Sequence, residues 1–285
     1  MEQFMNEILR IKFDGEKIHF QQENCYESRG DSVTKLTQSA FDLISNQDRK
    51  RMKHFEVFFY VGDKSHYPFS FSSNKKNERT IPCFLFDSWP EVGIQDYEVV
   101  RNEMIERSKQ APKKQQLFWI GNTATHPSRK FFVEASQKSF FNEKIVAIDC
   151  GNWSGNTGSK KTPEKKYVSM PDHCDYKYLI DLQGNGYSGR TKLLFHSGRP
   201  VFYQARSWNE YWFFDMKPFV HYIPLNEDLS DFTEKFRWAE SNPQECQNIA
   251  NNSLEYCRNN LTRRHALDRY KSIILLLGGI DCTII

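Results

Sequence analysis

Tyr178-Leu179-Ile180-Asp181-Leu182-Gln183-Gly184-Asn185-Gly186-Tyr187-Ser188-Gly189-Arg190-Thr191-Lys192-Leu193-Leu194-Phe195 is the stretch from which the fold is read. Its first five residues are apolar except for Asp181, as in a strand buried on both faces. Three glycines follow within six residues, and helical text resumes from about Ser188. Glycine permits positive φ and close backbone approach, and a helix start offers unpaired N–H groups. Together these describe an anion site. Arg190 and Lys192 fall in the first turn of that helix, where the dipole disfavours cations, and a bound anion would explain them. The stretch reads equally as a tight turn without a ligand, because it is neither GxGxxG nor a Walker A sequence.

The same logic recurs upstream. Leu117–Ile120 leads through Gly121 and a polar turn to Arg129 near another helix start, although a plain surface loop with His126 as a loop histidine is the simpler reading. Further strands are predicted over 145–148, 200–203 and 221–223, with a Gly/Ser/Lys-rich loop at 151–166 and helices to the end. Alternation of this kind specifies an α/β fold with a parallel sheet covered on both faces. Towards the amino terminus, residues 1–50 read as polar helical text, with an amphipathic helix over 32–44. Strands are predicted over 55–61 and 81–86, and a charged helix over 94–110. The polar run Ala111–Gln116 marks the domain boundary. Residues 1–112 are thus expected to form one lobe and residues 113–285 a second, with the last helix packing back on the first.

Composition narrows the function. The 39 basic and 36 acidic residues leave a net charge of +3, without the concentrated basic excess of a nucleic-acid binder. The chain has 23 Phe, 13 Tyr and 6 Trp, which supply burial and surfaces for ring-shaped ligands. The seven Cys are irregularly spaced without a CxxC pair, so reduced thiols are expected rather than disulfides or zinc. The first residues lack the basic flank and apolar run of a signal peptide. No run of about 18 apolar residues is present to span a bilayer. A cytoplasmic protein without stable membrane insertion is expected.

Asp63 follows directly on the strand 55–61, where a carboxylate at the carboxyl end of a parallel sheet points into a crevice and can act as a general base. A turn cap is the plainer alternative. Asp181 and Glu210 are similarly open. No Asp-X-Asp is present to hold a divalent cation, and His173, His196 and His221 show no metal-ligand spacing.

Three ordered motifs, Asp172–Asp181, Gly184–Arg190, and Met216–Pro224 followed by Asp228-Leu229, resemble glycosyltransferase family 90 over about residues 115–277. The resemblance implies a GT-B arrangement of two Rossmann-like lobes with a cleft between them. The N-terminal lobe would serve the acceptor and the C-terminal lobe a UDP-sugar donor. It further implies inverting transfer to a hydroxyl of a glycan or glycoprotein, without metal or other cofactor. Xylose is favoured as donor sugar, with glucose next. Carried over by position, Gly186, Ser188, Gly189 and Arg190 would grip the diphosphate, Gly121 and Arg129 would lie on the same donor site, and Glu210 would hold the ribose. The family's catalytic aspartate corresponds to Asp63, but Lys64-Ser65-His66 interrupts the motif, leaving His66 and Asp87 as other candidates for the base. Gln183 and Arg199-Pro200 depart from the family pattern and bear on the donor sugar. The rival reading is a non-catalytic UDP- or carbohydrate-binding scaffold on the same fold.

Overall fold

A computed structural model describes residues 7–26, 28–63, 67–138, 140–151 and 167–284. His66, with Lys64 and Ser65, and all but the first residue of the loop 151–166 lie outside them. The chain begins with strands β1 (Ile8–Phe13) and β2 (Ile18–Glu23), helices α1 (Arg29–Asp42) and α2 (Asn46–Arg51), and β3 (Phe55–Tyr60). Helix α3 (Tyr97–Ser108) leads to β4 (Lys114–Gly121), α4 (Pro127–Ser136), β5 (Ile145–Asp149), β6 (Tyr176–Asp181), α5 (Thr191–Phe195), β7 (Val201–Gln204) and β8 (Ile223–Leu225). Helices α6 (Phe232–Ser241), α7 (Pro243–Asn260) and α8 (Arg263–Leu277) close it. No helix among the described residues is long and apolar enough to cross a membrane.

Strands β4 to β8 form the expected parallel sheet, in the order β5-β4-β6-β7-β8. The chain moves outward from β4 to β5, then returns to place β6 on the other side of β4. In such sheets a reversal of this kind places a ligand crevice beyond the carboxyl ends of the two strands, here Gly121 and Asp181. Side chains of β4 alternate between two cores: Phe118 and Ile120 pack with residues of β1, α1 and α8, while Leu117 and Trp119 pack with Phe132 of α4 and Phe236 of α6. The sheet is therefore buried on both faces, which explains its unbroken apolar text.

The N-terminal region departs from expectation. Residues 8–23 form an antiparallel hairpin rather than helix, and β3 pairs antiparallel with β1 in a sheet ordered β2-β1-β3. A Rossmann-like N-terminal lobe is thus not what the described part of residues 1–112 forms, and Asp63 does not end a parallel strand. The hairpin turns at Asp14-Gly15, with Gly15 at φ +98° and the Asp14 carboxylate accepting from the N–H groups of Glu16 and Lys17 at 2.9 and 2.8 Å. An Asp-Gly pair is a strong hairpin signal; the polar text Gln21-Gln22-Glu23 weakened the apolar alternation around it.

The strand expected over 81–86 is buried but becomes a 3₁₀ turn at Phe84–Phe86. Helix α8 instead of a neighbouring strand meets it: Tyr270 Oη donates to Pro82 O at 2.6 Å, and Arg269 Nε to the carbonyl of Thr80, just before the segment, at 2.9 Å. Helix α8 also packs against α1. Arg199 donates to the carbonyls of Cys174 and Ser108, at 2.9 and 3.5 Å, so this departure from the family pattern braces α3 against the sheet.

Two histidines are locked inside this framework. Burial, with Arg101 nearby, pushes His196 down to about 3 from an ordinary 6.5; burial and Arg190 push His173 down to about 4. Each is neutral in the fold, its Nδ1 against a main-chain carbonyl, Lys192 O at 2.7 Å and Ser169 O at 2.8 Å. The unfolded chain protonates them below the ordinary value, so their contribution is complete above that pH and is lost as pH falls towards the folded values. Stability should therefore decline below pH 6.5 by up to about 1.4 kcal/mol per pH unit for each histidine. Urea titrations across that range would show it, and His196→Gln should remove roughly half of the slope attributable to the pair.

Candidate active site

The crevice between β4 and β6 is organised by one carboxylate. Asp181, the last residue of β6, is fully buried and accepts from Ser188 Oγ at 2.8 Å and Thr191 Oγ1 at 2.7 Å. Arg206 Nη1 lies 3.0 Å from its Oδ2, and Arg190 Nε 3.5 Å from its Oδ1. Burial opposes the charged carboxylate, but Arg206 and Arg190, with Thr191 and Ser188, outweigh it and hold Asp181 below the ordinary carboxylate range. Ser188 is thus a latch that folds the glycine loop back onto the strand. Sequence reading left Asp181 open and passed over Arg206; the charged Asp181 within an otherwise apolar strand was the available signal.

Arg129, from the first turn of α4, completes a cluster of three guanidinium groups around one carboxylate. It donates through Nε to Gln183 O at 2.7 Å, through Nη1 to Asn122 O at 3.1 Å and through Nη2 to Leu182 O at 3.0 Å. Arg129 therefore laces the two glycine-opened loops together, and its charge is felt in the crevice while its donors are spent on main chain. Burial, with Arg190 beside it, pushes Arg129 down to about 9. Arg190 donates through Nη1 to Ile120 O, but its Nη2 is buried without a hydrogen-bond partner. Burial likewise lowers Arg190 despite Asp181. Excess buried positive charge with an unused donor is unfavourable until an anion arrives.

Two of the glycines, Gly121 and Gly184, serve this crevice through space rather than φ. Gly184, Gly186 and Gly189 are not among the residues with positive φ. A Cβ at Gly121 would come within 2.7 Å of the Trp119 ring, and one at Gly184 within 3.2 Å of Arg129 Nη2. Helix α5 covers only Thr191–Phe195, too short for its dipole to be a major term. Lys192 turns away from the crevice into the core, where it donates to Glu210 Oε1 at 2.7 Å, Gly189 O at 2.7 Å and Cys83 Sγ at 3.0 Å. Its charge is explained by Glu210 and not by a bound anion. Glu210 is buried, its carboxyl raised by burial against the pull of Lys192. Its Oε2 has no partner, and the residue lines a small cavity with Ser188 and Trp212.

Asp63 reaches the same region from the N-terminal half. Arg29 Nη1 donates to its Oδ1 at 2.9 Å, and Asn185 of the glycine loop approaches its Oδ2 at 3.5 Å. Asp87 instead faces Arg263 of α8 at 3.2 Å and Lys35 at 4.0 Å, in a brace between α8 and the turn after Phe86. His66 lies outside the described residues. Among the described residues no three His, Cys, Asp or Glu side chains converge as around a metal ion.

An α/β protein with a cationic crevice at the reversal point of its parallel sheet is the class that this geometry defines. The model of glycosyl transferase family 90 matches residues 45–275, and the chain belongs to that family. It is 31% identical to human protein O-glucosyltransferase 1 over 206 residues, 68% of this chain and 52% of that protein. With the rat protein of the same name it shares 29% over 240 residues, 74% of this chain and 59% of the relative. Identity to the O-glucosyltransferase rumi of Drosophila pseudoobscura pseudoobscura is 28% over 171 residues, 58% of this chain and 41% of the relative. The chain thus spans about half the length of these curated relatives.

Because Asp181 is the common partner of the latch and the guanidinium groups, Asp181→Asn should cost about 3–5 kcal/mol, as for a buried ion pair broken from one side. Urea unfolding would measure it. A loss below about 1 kcal/mol would show that the arginines are held by their main-chain carbonyls alone.

Proposed function

We propose that the chain is an inverting transferase that moves glucose from UDP-glucose to a hydroxyl of a glycoprotein. The observation that carries the reading is the buried, partnerless Nη2 of Arg190, where Arg190 and Arg206 pair with one carboxylate and Arg129, bonded to main chain, adds a third positive charge nearby. Such a site suits a diphosphate, which brings several negative oxygens and gains charge as it leaves. The names of the relatives favour glucose over the xylose expected from sequence.

In this reading, Asp63 Oδ2 takes the proton of the acceptor hydroxyl as its oxygen bonds to the anomeric carbon. The bond from that carbon to the diphosphate oxygen breaks, and the electron pair passes to UDP, where Arg190 stabilises it. Arg129 and Arg206 supply fixed positive potential from behind. The antiparallel unit before about residue 112 would form the acceptor side of a GT-B-like cleft, and the parallel sheet the donor side. The ribose role of Glu210 would require the 187–189 segment to open, because the carboxylate is enclosed.

UDP release from a panel of UDP-sugars tests the proposal without an acceptor. UDP-glucose should be hydrolysed fastest, and EDTA should change the rate less than about twofold, since a metal at the transition state would be worth several kcal/mol. UDP binding with no release from any donor would favour a scaffold over an enzyme. Complete loss in EDTA, restored by Mg²⁺ or Mn²⁺, would replace the arginines with a cation as the carrier of the leaving group.

Arg190→Ala should weaken UDP binding by about 1.5–3 kcal/mol, the scale of a charge-assisted hydrogen bond. Arg190→Lys should recover only part, because it lacks the planar fork. Calorimetry showing unchanged UDP affinity in Arg190→Ala would move the diphosphate elsewhere.

A further inference from the structure

We propose that Arg29 is a positioning residue for Asp63, tying one carboxylate oxygen so that the other is presented to the donor loop. The inference rests on Asp63 acting as the base in the reading above. Arg29 is the first residue of α1, and its guanidinium lies over two rings, with Cζ 5.3 Å from the Tyr26 centroid and 5.0 Å from that of Phe84. Its side chain is 11% exposed, whereas that of Asp63 is 31% exposed. The more enclosed group is the cation, and the more exposed one is the carboxylate it holds.

The tie is asymmetric. Arg29 Nη1 donates to Asp63 Oδ1 at 2.9 Å and stands 3.8 Å from Glu7 Oε2, so one guanidinium faces two carboxylates and favours Asp63. Burial pushes the Glu7 carboxyl up while Arg29 pulls it down and Asp63 adds to the rise, as expected of two acids sharing one cation. The backbone carrying Asp63 is confined as well. A Cβ at Gly62 would fall 2.5 Å from Tyr60 Oη and 2.6 Å from Glu7 Oε2, so this turn closes directly on its neighbours. With the turn packed and Oδ1 tied, Oδ2 is the oxygen that meets Asn185 Nδ2 at 3.5 Å, at the exposed tip of the glycine loop. A general base needs one oxygen held at its substrate proton, and small misplacements of such a group are costly. Arg29 supplies the hold without touching the substrate.

A double-mutant cycle on UDP-glucose hydrolysis tests this, with UDP affinity measured by calorimetry and folding by circular dichroism. Arg29→Met should lower kcat by about 10- to 100-fold while the donor KM and UDP affinity stay within about twofold. Arg29→Lys should restore part of kcat. In an Asp63→Asn background, itself reduced by about 10²–10⁴-fold, Arg29→Met should cause no further loss. If Arg29→Met does not fold, Arg29→Lys and Arg29→Gln carry the same cycle. Losses that multiply in the double variant would make Arg29 structural and overturn the proposal. Wild-type kcat in folded Arg29→Met, with Asp63→Asn inactive, would overturn it alone and leave the base assignment standing. Full turnover in Asp63→Asn would remove the base assignment and the proposal together.

Discussion

Asp181 must be satisfied before any of the crevice can exist. A carboxylate at the inner end of a buried strand is far too costly to leave unpaired, and the chain supplies its partners from two segments. Ser188, Arg190 and Thr191 come from the end of the glycine loop and the start of α5, and Arg206 from beyond β7. Meeting that demand bends the loop back over the strand end. It also places Arg190 against β4, whose Ile120 carbonyl it reaches. The local shape of the crevice is therefore a consequence of charge satisfaction, with the glycines making room for it.

Neighbouring cations in one short segment have opposite destinations. Arg190 faces the crevice, whereas Lys192 enters the core and meets Glu210. The Lys192–Glu210 pair is compensated charge for charge, while the guanidinium cluster around Asp181 is not. Only the second is electrostatically incomplete, so only the second calls for a ligand. Asp87 and Asp63 differ likewise: Asp87 is held by Arg263 in a brace, whereas Asp63 Oδ2, among the described residues, meets Asn185 at the loop tip in a long contact.

The parallel sheet was legible because strands buried on both faces leave long apolar runs such as Leu117–Ile120, broken by glycine and followed by helical spacing. Of the three antiparallel strands, β3 is legible as the apolar run 55–61, but β1 and β2 are not, since β2 buries only Ile18 fully and its text is polar. Ile81–Phe86 misled for the opposite reason: it is as apolar as a strand, and its pairing with side chains of α8 is a tertiary fact that no local pattern records. In the site, Arg129 and Arg190 were found by position, but their division of labour was not. Whether a guanidinium spends its donors on main chain or keeps one free depends on carbonyls contributed by distant strands. Arg206 carried no local signal, because its partner lies across a strand pairing rather than along the sequence.

In the proposed reading the N-terminal unit carries the base, Asp63, and the parallel sheet the donor loop, so their separation depends on how firmly the two units are joined. They share a continuous apolar core in which Leu9, Phe59, Phe71 and Phe84 belong to the same cluster as Phe118, Leu179, Tyr187 and Leu193. Phe71 meets the Tyr187 ring edge-on at 6.1 Å, and Lys192 donates to Cys83 across the same boundary. Lobes that swing freely are joined by modest, largely polar interfaces, whereas a large apolar one resists such motion. Here the join is core, and it runs directly beneath the glycine loop. The strand that leads to Asp63 is thereby packed, through Phe59 and Val61, into the same core as the sheet that carries the glycine loop. In the proposed reading the strand leading to Asp63 and the glycine loop are thus parts of one packed framework, and the Arg29 tie adds a polar contact to that apolar join.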